Sequence, residues 1–221
     1  MRAALLMERR ERGRSTALPD VEADFRRLVA GREMRATFEQ LDEIDRLNEG
    51  LDGIRLLKGI EVDILEKGGL DLPDEVLGRL DLVVGAVHSA FRLGRKEQTR
   101  RILKAMDHPH FSILAHPTGR LIAEREPCDV DMARIIRHAR ERGCFLELNA
   151  HPERLDLLDV HCRMAREEGV LVSIDSDAHS ELDFANLPYG VGQARRGWLE
   201  VEDVLNTRTL ERLLPLLRRT M

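Results

Sequence analysis

The sequence predicts an α/β fold built on a parallel sheet, and two observations carry that reading. Short apolar, β-branched runs alternate along the chain with segments of helical period. Each run is also short enough to be a strand buried on both faces, as in parallel sheets covered by helices. A third observation separates a βα barrel from a doubly wound sheet: ionisable residues recur at the C-terminal ends of successive runs. A barrel opens all of those ends onto one face, so side chains far apart in sequence converge there.

Strands are expected at Ile54 to Ile64, Leu82 to Val87, Phe111 to Ala115, Cys144 to Leu148 and Val170 to Ile174. The first helix is predicted over Thr37 to Gly50, where Phe38, Leu41, Ile44 and Leu47 share one side. Thr37 with Gln40 has the spacing of a capping box, each side chain serving an orphan backbone N–H at the helix start. Further helices are predicted at Lys96 to Met106, Asp131 to Arg142, Leu155 to Glu168 and Val201 to Arg219. Gly143 and Gly169 stand where a left-handed C-terminal residue is expected, and Pro215 should kink or split the last helix. No repeat or linker divides the 221 residues, a length sufficient for one core.

Composition narrows the function classes. With 35 Lys and Arg against 40 Asp and Glu the net charge is −5, which argues against bulk electrostatic attachment to nucleic acid and leaves only a local basic groove. No apolar stretch approaches the ~18 residues needed to span a bilayer. The opening MRAALLMERRERGRS is too charged for a signal peptide, so the expected location is the cytoplasm, with no membrane partner. Cys128, Cys144 and Cys162 form no Cys-x-x-Cys pair and are read as reduced core or helix residues.

The strand-end residues are Glu61 with Asp63, His88, His116, Asn149 followed by His151, and Asp177 with His179. Borderline nitrogen and hard oxygen donors of this kind suit Zn²⁺, Mn²⁺ or Fe²⁺ and need no thiolate. A carboxylate that bridges two ions lets a cluster form from few side chains, and such clusters activate water and neutralise a phosphoryl transition state. Asp63 lies on the same side of its strand as Glu61 and is expected to support the site rather than ligate.

The strings GIEVDIL (59–65), DLVVGAVHS (81–89), ILAHPTGR (113–120), LELNAHPERLDL (146–157), SDAHS (176–180) and YGVGQARRGWLE (189–200) resemble the polymerase and histidinol phosphatase (PHP) domain. More narrowly, they resemble the C-terminal PHP domain of bacterial family X DNA polymerases, over roughly residues 36–221. The resemblance implies a distorted seven-stranded βα barrel holding up to three metal ions, usually Mn²⁺ in the polymerases. Its implied activity is phosphoester hydrolysis, as a 3′–5′ exonuclease and DNA 3′-end phosphatase. Glu61 would be the bridging carboxylate, with His88 and His116 completing one site; Asp177 and His179 would belong to two others. Glu61 and Asp177 would then be the catalytic carboxylates, and Arg120, Asn149, His151, Arg195 and Arg196 would contact substrate.

The chain departs from that pattern at its start. The family begins with a His-x-Asp or His-x-His strand and a second strand ending in Asp-His, yet no histidine precedes His88. Ala3 to Gly13 is aligned with the first helix and Ser15 to Asp20 with a degenerate second strand. Residues 1–35 then stand as a degenerate or truncated part of the barrel that lacks the first strand. Fewer than three ions and an impaired activity are expected. The alternatives are a degenerate barrel binding DNA or a polymerase domain, and a phosphatase acting on a phosphorylated small molecule. Of the remaining residues, the arginines around Arg92, Arg95, Arg100 and Arg101 are read as a solvated helix face, and Trp198 as packed against the sheet.

Overall fold

The computed structural model describes residues 4–5 and 38–220. Strand β1 (Ala4–Leu5) pairs in parallel with β2 (Leu56–Leu57), so these two residues are extended rather than part of the helix expected at Ala3 to Gly13. The rest of that helix, the strand expected at Ser15 to Asp20 and the Thr37 cap lie outside the described residues. Helix α1 is described over residues 38–50; it buries Leu41 against Val62, Leu77, Leu80 and Val83, and Ile44 is buried as well.

The strand expected over Ile54 to Ile64 is two strands, β2 and β3 (Gly59–Asp63). The break falls at Lys58, whose N–H donates to the Asp81 carboxylate and whose carbonyl accepts from the Asp81 N–H. Both backbone groups of Lys58 are thereby engaged in a turn contact. A short helix α2 (Asp74–Leu77), absent from the sequence prediction, leads into β4 (Leu82–Ala86). Then follow α3 (Arg95–Met106), β5 (Ile113–Leu114), α4 (Met132–Arg142), β6 (Phe145–Asn149), α5 (Asp159–Glu168) and β7 (Val172–Asp175).

Strands β3 to β7 form one parallel sheet in the order β3-β4-β5-β6-β7. The order runs with the sequence and never reverses, which is the winding of a TIM-like fold, whereas a doubly wound sheet reverses at a switch point. Val204 adds a single parallel bridge to Val172, extending the sheet one position past β7.

The two faces of the sheet follow from strand alternation. Leu114, Leu146, Leu148, Val172 and Ile174 meet Ile102 and Met106 of α3, Ile135, Ile136 and Ala139 of α4, and Cys162 and Ala165 of α5. On the other face Leu82, Val84, Ala86, Ile113, Ala115 and Phe145 close over Leu213 and Leu217 of α7 (Leu210–Leu217). This second face is apolar at the N-terminal ends of the strands and carries Glu61, Glu147, Asn149 and Asp175 toward their C-terminal ends. Gly85 is required where it stands, because a Cβ there would lie 2.1 Å from the Phe111 ring that crosses it. The cysteines are free and buried as expected.

Gly143 and Gly169 close α4 and α5 at φ 74° and 73°, in the left-handed region expected of them. Helix α5 starts at Asp159, later than the predicted Leu155, because Asn149 pairs with Asp156 and draws residues 151–157 into a loop over the sheet. The single helix expected over 201–219 is broken into 3₁₀ turns Val201–Asp203 and Leu205–Thr207, then α7 and a turn at Arg218–Thr220. The break lies at the extended Val204, which bridges β7, while Pro215 is accommodated inside α7. Helix α6 (Leu187–Arg196) was not predicted, since Pro188, Gly190 and Gly192 obscure its period. Gly190 lets it approach β6 and β7: a Cβ there would lie 2.7 Å from both Ala150 and Ile174. Trp198, expected to be packed, is 68% exposed, because α6 ends at Gly197 against Cys162 and the chain turns outward at a Trp198 φ of 60°.

Among the described residues no helix is long and apolar enough to cross a membrane.

Candidate metal centre

Three side chains from consecutive strands meet at the C-terminal edge of the sheet. Glu61 is on β3, in register with Val84 of β4; His88 lies two residues past β4, and His116 two past β5. The Nε2 of His88 is 2.9 Å and the Nε2 of His116 3.3 Å from the same oxygen, Glu61 Oε1. The two imidazole centroids are 5.3 Å apart, and one donor atom from each of the three residues lies within 4.8 Å of the others.

Burial alone would raise the Glu61 carboxyl, but His116 and His88, through hydrogen bonds and charge, hold it well below the usual carboxylate range. Burial would lower His88, yet the Asp63 and Glu61 carboxylates lift it to about 9. Asp63 Oδ1 sits 2.5 Å from His88 Nδ1, on the ring edge facing away from Glu61. His116 differs: its ring is fully buried, and among the described residues neither of its nitrogens has an aligned hydrogen-bond partner. A buried imidazole with no well-aligned hydrogen bond is costly, and its Nε2 contacts, at 3.3 Å, the oxygen that His88 also faces. Two imidazole nitrogens and a carboxylate oxygen on one small space, with a carboxylate behind one ring, form a donor set that could hold a divalent ion.

No family model matches the chain. It is 32% identical over 178 residues to a probable phosphatase of Syntrophotalea carbinolica, a match covering 76% of this chain and 70% of that protein. The chain belongs to this probable-phosphatase family, and its domain is PHP-like. A further probable phosphatase, from Thermoanaerobacter sp., is 29% identical over 174 residues, 73% of this chain and 67% of that protein. The DNA polymerase/3′-5′ exonuclease PolX of Bacillus subtilis is 41% identical over 181 residues. That match takes in 82% of the present chain, which spans only about a third, 32%, of the PolX length.

In this PHP-like domain the other expected site residues stand apart from the three donors. Asp177 is buried at the end of β7, accepting from Asn149 Nδ2 at 3.0 Å and paired with Arg154 Nε at 3.3 Å. His179 is half exposed, its Nδ1 2.8 Å from the Asp177 carbonyl. Asn149 is fully buried, and its Oδ1 accepts from the His151 N–H. His151 is partly exposed on the loop above β6, near Glu153. Arg120 donates to the carbonyls of Arg154 and Leu155, both at 2.6 Å. Arg196 pairs with Asp159 at 3.1 Å, and Arg195 is exposed beside it on α6.

Four polar residues of this region escaped the sequence reading. Glu147 lies on β6 between the donors and Asp177, and burial, together with the charges of Asp175, Asp177 and Glu61, pushes its carboxyl well above the usual range. Asp175 is raised to about 6 by burial, opposed by the Ser173 hydroxyl and reinforced by Asp177. Asp156 accepts from Thr118 N, Thr118 Oγ1 and Gly119 N, fixing the turn that follows His116. Arg154 has a buried Nη1 with no hydrogen-bond partner among the described residues. A signal for Glu147 was present: it alternates with Asn149 in LELN and so shares its face.

Proposed function

We propose that this chain is a metal-dependent phosphoesterase of the PHP type, acting on a DNA 3′ end as an exonuclease or 3′-phosphatase. The observation that carries the reading is the convergence of Glu61, His88 and His116 at adjacent strand ends, with donor atoms within 4.8 Å. These residues would hold one divalent ion, Mn²⁺ or Zn²⁺, at the C-terminal edge of the parallel sheet. Such an ion supplies Lewis-acid charge to a phosphoryl oxygen and lowers the pKa of a bound water.

The chain's own residues prepare that chemistry. Glu61 stays ionised at neutral pH because two imidazoles face it. Asp63 orients His88 by holding its Nδ1 proton, leaving Nε2 directed at Glu61. Asp177, with His179 beside it, serves as the second catalytic carboxylate at the mouth, where it orients water or a further ion. Arg154 is the best supported phosphate contact, because its free Nη1 adjoins Asp177. Arg120, Arg195, Arg196 and His151 are carried as secondary substrate contacts, whereas Asn149, expected to be one, is fully buried and bonded to Asp177 and the His151 N–H. The resemblance of the GVGQARRGW segment and the 41% identity to PolX favour a nucleic-acid end over a phosphorylated small molecule.

Hydrolysis of an aryl phosphate and of a 3′-labelled single strand, with Mn²⁺ added to the purified chain, tests the proposal. Turnover that is lost in Glu61→Ala and His88→Ala supports it. Unchanged turnover in both variants removes the assigned site, and turnover confined to a small phosphate transfers the substrate assignment. Absence of any metal-stimulated turnover, with DNA or a polymerase domain still bound, would instead make the chain a degenerate binding barrel.

A further inference from the structure

The two functional segments flanking β6 are both held in unfavourable backbone conformations. His116 has φ 27° and Asp177 φ 51°, in the left-handed region that non-glycine residues seldom enter. Such conformations persist only where the surroundings over-determine them. For these two residues one strand supplies contacts to both, besides Asp156 at the His116 turn and Arg154 at Asp177. Glu147 and Asn149 are two apart on β6, so their side chains leave the same face of the sheet, and β6 lies between β5 and β7.

On the β5 side, Glu147 Oε2 accepts from the His116 backbone N–H at 2.7 Å. On the β7 side, Asn149 Nδ2 donates to Asp177 Oδ2 at 3.0 Å and reaches Glu147 Oε2 at 3.4 Å. The Asn149 Oδ1 accepts from the His151 N–H, so the amide cannot rotate without losing a partner. Glu147 is 1% and Asn149 0% exposed, which leaves water no access to replace either bond. Asp156 completes the hold on the His116 turn from the far side, at Thr118 and Gly119.

The geometry points to Glu147 and Asn149 as paired positioning residues that set the His116 imidazole and the Asp177 carboxylate for the metal-dependent reaction without ligating metal themselves. Glu147 acts through the His116 backbone, and Asn149 acts through the Asp177 side chain. This inference rests on the proposed metal-site reading. It extends that reading by giving β6, which supplies no donor to the three-residue cluster, the function of a brace between two strands that do carry site residues.

The test compares Glu147→Gln, Glu147→Leu and Asn149→Ala with the unaltered full chain by Zn²⁺ titration calorimetry in the absence of substrate. Glutamine keeps an acceptor for the His116 N–H, so Glu147→Gln should bind Zn²⁺ within threefold of the parent. Glu147→Leu should bind at least tenfold more weakly. Asn149→Ala should leave Zn²⁺ affinity nearly unchanged and reduce kcat rather than raise KM. An independent readout is the ¹H–¹⁵N resonance of the His116 amide. It should lie downfield in the parent and shift upfield in Glu147→Gln as a carboxyl acceptor becomes an amide. That shift is observable even if Glu147→Leu does not fold. Equal losses of affinity in Glu147→Gln and Glu147→Leu would make Glu147 a ligand and overturn the inference, as would a folded Glu147→Leu with parental affinity. A parent that binds no Zn²⁺ at all would instead overturn the metal-site reading itself.

Discussion

His88 is gripped on both ring edges by carboxylates from one strand: its Nδ1 lies 2.5 Å from Asp63 Oδ1 and its Nε2 2.9 Å from Glu61 Oε1. Asp63 and Glu61 are two residues apart on β3, so both side chains leave the same face, and a histidine arriving from the end of β4 fits between them. A carboxylate behind a histidine fixes the tautomer and raises the basicity of the nitrogen that faces the metal. Asp63→Leu should therefore weaken Zn²⁺ binding by about 10–100-fold while leaving the fold intact. Competition against a chelating dye measures it, and parental affinity would show that Asp63 has no part in the site.

Protonation of the same ring sets a pH dependence. The metal-free protein holds His88 at about 9 against an ordinary 6.5, so its stabilising contribution is complete below 6.5 and lost as pH rises through 9. Glu61 is displaced downward, so its contribution is present above its ordinary 4.5 and lost only as strong acid protonates it. In chelator, both contributions are complete between pH 4.5 and 6.5. A metal ion must displace the His88 proton, so affinity should climb steadily from pH 6 to 9. Calorimetry in buffers of different ionisation enthalpy should show about one proton released per ion at pH 7. A flat affinity with no proton release would contradict this account.

His88 and His116 were legible in the sequence because each follows a recognisable apolar run, and Glu61 because it lies near the end of one; parallel strands in sequential order bring such ends together. Asp175 was not, because it sits inside a strand, at SID, where a charged residue has no visible partner until the neighbouring strands are in place, and Glu147 was signalled only by its alternation with Asn149 in LELN. Helix α6 was hidden by the glycine that permits its close approach, and the extended Val204 could be recognised only through its bridge to Val172. Arg101 was misjudged for a related reason. The other basic residues of α3, Arg95, Lys96, Arg100 and Lys104, are exposed, and only the packing of α3 against the two loops below it reveals that this arginine is buried.

Arg101 ties the loops that follow β3 and β4. Its guanidinium donates to the carbonyls of Ile64, Leu65 and Ser89, the residues adjoining Asp63 and His88. Arg101→Met would fill the space but strand the buried Ile64 carbonyl and leave the part-buried Leu65 and Ser89 carbonyls without this donor. The expected cost is about 2–4 kcal/mol of stability, since each unsatisfied buried acceptor costs ~1–3 kcal/mol and some will find water. Because the freed loops carry His88, Zn²⁺ affinity should fall as well. Urea unfolding and metal titration check the two effects, and a loss of stability without loss of affinity would confine Arg101 to a structural part.

Asp175 offers the opposite case, a side chain whose removal should stabilise. It is part-buried at the end of β7, and desolvation together with the nearby Asp177 raises it from 3.8 to about 6 despite the Ser173 hydroxyl. Folding thus favours its protonated form. The stability this contributes is complete below pH 3.8 and lost as pH rises through 6, where the carboxyl ionises. Asn at this position keeps an acceptor for Ser173 and never ionises. Asp175→Asn should accordingly raise stability by about 1–3 kcal/mol at pH 7.5, the scale set by ~1.4 kcal/mol per unit of pKa displacement. At pH 4 the two proteins should unfold alike. Denaturant melts of the metal-free chain at both pH values decide the matter, and a variant equally destabilised at both would mean that Asp175 is held by contacts that outweigh its charge.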